Sequence, residues 1–201
     1  MTKSTYLFIE SLSIQDMAPL HLKWHQARVN NTFAKYFPTQ KPFILNNVIT
    51  PTTNLLQKCR ITYSNVIVTI EYEPFVPKNI QSLKIVRSEP FDYAFKFADR
   101  VKINSLREQR ESADDILISI NKFITDSSFT NVVFYDGQQY YTPENPLLSG
   151  TKRAQLLEKK TIKPILIKET DIPKFKEVHL INALVDLGDY VIKPENIFKF
   201  Q

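Results

Sequence analysis

Glycine is nearly absent. The 201-residue chain holds only three, Gly137, Gly150 and Gly188, and none lies before residue 137. The dinucleotide fingerprint and the P-loop each need several glycines close together, so both are excluded. A phosphate ligand must be held another way. Cysteine is scarcer: Cys59 stands alone, which excludes an intrachain disulfide and every cysteine-cluster metal site. No apolar run approaches the roughly 18–20 residues a membrane span needs. The N-terminus, MTKSTYLFIESLSI, lacks the apolar core and small-residue cleavage site of a secretion signal. A cytoplasmic protein is expected. Strong charge of one sign is also missing. The net charge of +5 comes from basic residues interleaved with acidic ones. No basic stripe with interleaved aromatics marks a nucleic-acid surface, and a mild positive balance equally suits an anionic ligand.

With 43% hydrophobic and 23% charged residues, the chain reads as an ordinary globular protein of one largish domain or two small ones. Residues 6 to 14 alternate weakly, as a strand does. SIQDMAPLHLKWHQARVNNTFAKYF places Leu20, Trp24, Ala27 and Phe33 at roughly helical spacing. TPTTNLLQK reads as the start of a short helix capped by threonine. KCRITYSNVIVTIEYEPFV reads as a hairpin and QSLKIV as a further strand. ADRVKINSLREQRESADD looks helical. DILISI, FITDSS and NVVFYDGQQYYTP follow as strands, with the Asp-Gly pair of YDGQQY at a tight hairpin. SGTKRAQLLEKK reads as a helix beginning near Gly150. DIPKFKEV is a short helix or turn, and VHLINALVDLG a strand running into a turn. The class is α+β, divided near VRSEPFD into a smaller domain over 1–88 and a second over 89–201.

Four separated features fit one chemical idea. Lys96 sits among aromatics in FKFADR, where a lysine either snorkels to solvent or holds an amine for chemistry. Asp126 is the carboxylate of the otherwise uncharged ITDSSFTN, thirty residues later. LLSGTKR opens a helix, whose first backbone N–H groups and dipole suit a phosphate. Arg28, in HQARV, can pair with a phosphate bidentately. Phosphate seat, amine and an acid for a ring nitrogen are together the needs of pyridoxal 5'-phosphate. His21 and His25 have the i, i+4 spacing of a metal pair, but no third ligand stands near, and no metal is assigned. Tyr63, Tyr72 and Tyr93 read as packing.

The order of these motifs resembles the fold-type IV pyridoxal-phosphate enzymes, the class IV aminotransferases. That family includes branched-chain aminotransferases, D-amino acid aminotransferase and 4-amino-4-deoxychorismate lyase. KFADR is similar to the family's cofactor-lysine signature, which makes Lys96 the catalytic, cofactor-bearing residue. ITDSSFTN places Asp126 at the ring-nitrogen acid and Asn131 at the family's asparagine. YTPENPLLSGTKR puts Gly150, Thr151 and Lys152 on the phosphate turn. EVHLINALVD resembles the lyase branch and sets Asn182 and Ala183 beside the phosphate. LFIESLSI and HQARV resemble the family's first strand and its H-x-x-R helix, which nominates Arg28. There are departures. Asp126 replaces a glutamate, Asp99 an asparagine, and Thr151–Lys152 an Ile-Thr pair, while the segment before Lys96 is short.

The resemblance implies a two-domain fold like that of D-amino acid aminotransferase, with a shortened N-terminal domain. It implies a homodimer acting on a small-molecule amine, with neither membrane nor nucleic acid as partner. The INAL segment leans to the lyase, which releases pyruvate and 4-aminobenzoate, a folate precursor. Aminotransfer with branched-chain or D-amino acids, and a non-catalytic relative, stay open.

Overall fold

The computed structural model describes residues 6–198. They form two compact units. One comprises the residues up to Pro77 together with Phe95–Asp99, and the other Lys78–Ala94 and the chain from Arg100 onward. Residues 78–88, which the sequence reading gives to the first domain, thus lie in the second unit. The reason is β-pairing: the strand over 83–88 is an inner member of the second unit's sheet.

In the first unit, β1 (Phe8–Gln15), β2 (Ala18–Pro19), β3 (Gln57–Tyr63) and β4 (Ile67–Pro74) form an antiparallel sheet in the order β2-β1-β3-β4. The two-residue period of a strand puts Phe8, Glu10, Leu12 and Ile14 on one face of β1, and all four are fully buried. Helix α1 (Leu22–Tyr36) buries His25, Val29, Thr32 and Phe33, the i, i+4, i+7, i+8 stripe of an amphipathic helix. It begins later than its apolar spacing suggests. Asp16, Met17 and His21 all have positive φ, and Ala18–Pro19 folds back onto β1 as β2. The short helix also moves. It forms at Leu45–Val48 (α2), not over TPTTNLLQK. Pro51 and the β-branched Thr50, Thr52 and Thr53 disfavour helix there, and Gln57 already belongs to β3.

The chain returns to this unit once more. Phe97 bridges to Phe8, Ile9 N donates to Lys96 O at 2.9 Å, and Ala98 N to Leu7 O at 2.8 Å. This stretch joins the aromatic core. Phe8 meets Tyr36 at 4.9 Å, Phe97 at 5.2 Å and Tyr63 at 5.8 Å between ring centroids.

The second unit contains β5 (Leu83–Ser88), α3 (Val101–Glu108), β6 (Asp115–Ile120), β7 (Phe123–Ser127), β8 (Asn131–Tyr135) and β9 (Tyr140–Pro143). After these come α4 (Thr151–Glu158), β10 (Ile162–Ile165), β11 (Glu177–Asn182), β12 (Val185–Ile192) and β13 (Ile197–Phe198). The sheet order is β10-β9-β8-β7-β6-β5-β13, with β11 pairing β8 and β12. The β8–β9 hairpin turns at Gly137, where φ is 106° and Asp136 Oδ1 accepts from Gln138 N and Gln139 N. Strands β10 and β13 carry no alternating signal in the sequence. Each is short, and β10 contains Pro164, which an edge strand tolerates. DIPKFKEV is the turn-like element expected, a 3₁₀ segment over Glu169–Lys174.

Phe8 is the centre of the first unit's aromatic cluster. Phe8→Ala is expected to lower unfolding stability by about 3–5 kcal/mol, read from the urea midpoint. A loss of under about 1 kcal/mol would show that the cluster does not depend on this ring.

Candidate active site

Each half of the predicted constellation is centred on a buried carboxylate. In the first unit it is Glu10, fully buried. An apolar row that contains one glutamate must supply its partners, and α1 does. Arg28 Nε donates to Glu10 Oε1 at 2.7 Å and Nη2 to Oε2 at 2.6 Å. His25 Nδ1 reaches Oε2 at 2.6 Å. His25 and Arg28 are three residues apart on α1, hence on one face. Burial alone would raise the Glu10 carboxyl, but the Arg28 charge and hydrogen bonds, then His25, bring it down to about 2. Burial lowers His25, and a smaller share comes from the Lys96 charge. That places the Lys96 ammonium within electrostatic reach of His25.

Lys96 itself is half-buried. Its neighbours Phe95 and Phe97 both pack into the aromatic cluster. Phe97 N donates back to Phe95 O at 2.9 Å, a tight turn centred on Lys96. Its carbonyl is tied to β1 through Ile9. The chain that carries the amine is therefore anchored on the strand that carries Glu10.

In the second unit the carboxylate is Asp126, 5% exposed. It stands opposite Asn131 in the β7–β8 pair. Asn131 Nδ2 donates to Asp126 Oδ1 at 2.7 Å and to Leu148 O at 2.7 Å. Leu148 N closes the ring, donating to Asp126 Oδ2 at 2.9 Å. Burial pushes the carboxyl up to about 6, against the hydrogen bonds from Leu148 and Asn131 and the charge of Arg153. Its donors, Asn131 and the backbones of Leu148 and Leu147, are fewer than the roughly four acceptor sites of a carboxylate.

Two residues beyond Leu148, Gly150 is the N-cap of α4 with φ −69°. Glycine is required there by space, since a Cβ would collide with Asn131 Oδ1. No side chain caps α4, and its first turn holds no acidic residue. Thr151, Lys152 and Arg153 are all buried. Arg153 Nη2 donates to Pro143 O at 2.8 Å. Lys152 is ion-paired with Asp186.

Asn182 ends β11 and Ala183 opens the turn into β12, where Asn182 Oδ1 accepts from Leu184 N at 2.8 Å. Asn182 Nδ2 also reaches Phe129 O, at 3.4 Å, in the β7–β8 turn. Second-unit residues Asp126, Asn131 and Leu148 are thus in one hydrogen-bonded ring, with Gly150 packed against Asn131 and Asn182 bonded to the β7–β8 turn. Arg28 and Lys96 belong to the first unit.

Sequence reasoning passed over three residues of these networks. Glu10 was legible as the one acid in an apolar strand. Leu148 acts through its backbone, which no side-chain pattern reports. Asp186 lies thirty-four residues from its partner and had no signal. Arg100, in the KFADR motif, also acts within the second unit: its Nη2 donates to Ser128 O at 2.5 Å. Among the described residues no cluster of three His, Cys, Asp or Glu could hold a metal, and no helix is long and apolar enough to cross a membrane.

The chain is similar to several known proteins. The family model described as amino-transferase class IV matches residues 7–189. An uncharacterised protein of Haemophilus influenzae is 33% identical over 184 residues, covering 89% of this chain and 98% of that protein. A solved structure from Haemophilus somnus, provisionally named a 4-amino-4-deoxychorismate lyase, is 32% identical with a TM-score of 0.85. The match covers 93% of this chain and 100% of that one. A hypothetical aminotransferase of Mycobacterium tuberculosis, solved in a PLP-bound form, is 13% identical with a TM-score of 0.72, over 99% of this chain and 85% of its own. That last likeness shows the fold alone. The chain belongs to the class IV aminotransferase family and has its fold-type IV architecture, in a form with a shortened N-terminal domain.

Proposed function

We propose that the protein is a pyridoxal-phosphate enzyme of the 4-amino-4-deoxychorismate lyase type, acting on a small amine and releasing pyruvate and 4-aminobenzoate. The observation that carries this reading is the ring of Asp126, Asn131 and Leu148 that leads directly into the uncapped start of α4. The acid for a ring nitrogen is hydrogen-bonded to Leu148, two residues before the seat for a phosphate. The Haemophilus somnus relative supports the lyase over the other branches. Assembly as a homodimer and a cytoplasmic site of action follow from the same family reading.

The residues present fit the cofactor. Asp126 is a buried acid with acceptor capacity to spare, and its ionised form would hold a proton on the ring nitrogen. The first turn of α4, from Gly150 to Lys152, would take the phosphate, with Asn182 and Ala183 beside it. Asn131 would serve by fixing both Asp126 and the approach to Gly150. Arg28, held along the Nε/Nη2 edge of its guanidinium by Glu10, would supply positive charge to the phosphate. When bound, the cofactor supplies an electron sink for the pair released at the substrate carbon that bears nitrogen. Lys96 would hold the cofactor through Nζ and, once the substrate amine replaces it, move the proton at that carbon. Fixed anchors make that transfer effectively intramolecular.

The deciding experiment gives the purified protein pyridoxal phosphate and then aminodeoxychorismate. Binding should produce the absorbance band of a lysine-linked cofactor, and Lys96→Ala should abolish both the band and pyruvate release. Absence of the band in wild type would sink the cofactor reading. Amino transfer from glutamate, branched-chain or D-amino acids without pyruvate would make the protein an aminotransferase. Full cofactor occupancy without turnover on any of these would make it a non-catalytic relative.

Asp126 also gives a pH signature. Its folded value of about 6 exceeds the ordinary 3.8, so the folded state binds the proton more tightly and loses stability as pH rises through that interval. Relative to Asp126→Asn, the cofactor-free wild type should lose roughly 2 kcal/mol of stability between pH 4 and 6, measured by urea unfolding. A difference that stays constant with pH would contradict it.

Gly150→Ala must displace Asn131. It is expected to cost about 1–3 kcal/mol of stability and to weaken cofactor uptake at least tenfold at a temperature where the variant is folded. Unchanged uptake would remove the turn from the site.

A further inference from the structure

The charges at the start of α4 have the wrong sign for an ordinary helix. A helix N-terminus favours carboxylates and disfavours cations. Here the first turn carries Lys152 and Arg153, no acid and no capping side chain. Arg153 is turned to the Pro143 carbonyl and Thr142 Oγ1. Lys152 is the more exacting case, because its side chain is only 4% exposed. A buried ammonium must find a counter-charge or lose its proton.

Asp186 supplies that charge, and the pair is lopsided. The amine is enclosed, whereas the Asp186 side chain is 70% exposed. Breaking the pair would return the carboxylate to water at little expense but would cost the enclosed amine a counter-charge. An anion arriving at α4 can therefore take the place of Asp186 beside Lys152. The strand behind it need not move. Asp186 N is held by Asp189 Oδ2 at 2.6 Å, which ties the backbone down while the side chain is released.

Resting on the reading of Gly150–Lys152 as the phosphate turn, we propose that Asp186 is the built-in counter-ion of Lys152. An incoming phosphate ester displaces it, and its charge thereby sets the anion affinity of the turn. Asp186 touches no reacting atom. It is a positioning residue that acts through Lys152, and lysine at 152 is what gives it this part. A residue without charge there would need no counter-ion.

The test compares dissociation constants of the full-length protein for pyridoxal phosphate, for pyridoxal, and for inorganic phosphate as a competitor. Asp186→Asn should tighten pyridoxal phosphate and inorganic phosphate about two- to fivefold, the scale of a half-exposed ion pair, and leave pyridoxal unchanged. Lys152→Thr should weaken the two phosphate-bearing probes, and Asp186→Asn added to it should have no further effect. Two results overturn the proposal: weaker or equal phosphate binding in Asp186→Asn, or a gain that survives in the Lys152→Thr background. Lower thermal stability of Asp186→Asn with unaltered phosphate affinity would reduce the pair to a strut between β12 and α4. A wild type that binds neither phosphate-bearing probe overturns the phosphate-turn reading and this proposal with it. Wild-type binding that ignores residue 186 overturns this proposal alone.

Discussion

A single carboxylate that cannot leave the protein interior organises the second unit. Asp126 lies between two strands of a sheet, and burial of its charge is tolerated only because Asn131 and Leu148 donate to it. Those donors come from different parts of the chain. One is the opposing strand, and the other is the backbone of the segment that enters α4. Satisfying the acid therefore fixes the position at which that helix begins. Asn131 uses both of its amide hydrogens in the ring and points its oxygen at the Gly150 Cα, leaving no volume for a side chain. The glycine, the asparagine and the aspartate are in this sense one unit of structure, and changing any of them shifts the other two.

The first unit contains the same device with the opposite electrostatics. Glu10 is as deeply buried as Asp126, yet one carboxyl is drawn down to about 2 and the other pushed up to about 6. The difference lies in the donors. Glu10 faces a bidentate guanidinium, and a full positive charge at hydrogen-bonding distance overwhelms desolvation. Asp126 receives only neutral amide donors, with Arg153 acting from further away, so desolvation prevails. A carboxyl held near neutrality in this way responds to a new positive neighbour, whereas one already neutralised does not. The two acids thus suit different tasks. Glu10 serves to hold Arg28 and His25 rigid, and Asp126 retains an unmet demand for positive charge.

Much of this was legible in the sequence, and the illegible parts have physical reasons. Strands β1, β3, β4 and β6–β8 follow from β-branched and aromatic runs, and the helix at Gly150 from its position after a turn. A buried polar residue was readable where it interrupts an apolar pattern, as Asp126 does. Three kinds of feature were not. Positive φ at Asp16, Met17 and His21 delays α1, and none of these residues is a glycine that would announce it. Leu148 enters the ring through its N–H and C=O, which every residue type possesses. Asp186 meets Lys152 only because β12 folds back beside α4, a tertiary fact. Residues 83–88 read as the end of one domain because they precede the change of pattern, but parallel pairing with β6 decides where they belong.

The start of α4 shows how breach of a local rule becomes informative. Propensity and dipole arguments ask for an acid or a hydroxyl at the cap, and a chain under no other constraint would have one. Glycine is there because Asn131 leaves no space, and Asn131 is there because Asp126 is buried. The absence of a cap is thus a consequence of the ring, not an independent choice. Of the two cations that follow, Arg153 lends its charge to Asp126 from a distance, and Lys152 pairs with Asp186. Positive charge added to an already positive helix end must be offset by something negative, and the mostly hydrated Asp186 does so for Lys152. A fold that needed the pair for stability alone would have gained more by burying both partners or neither. One enclosed and one solvated partner is the arrangement in which the solvated member can be exchanged, and the thing exchanged for it must be an anion.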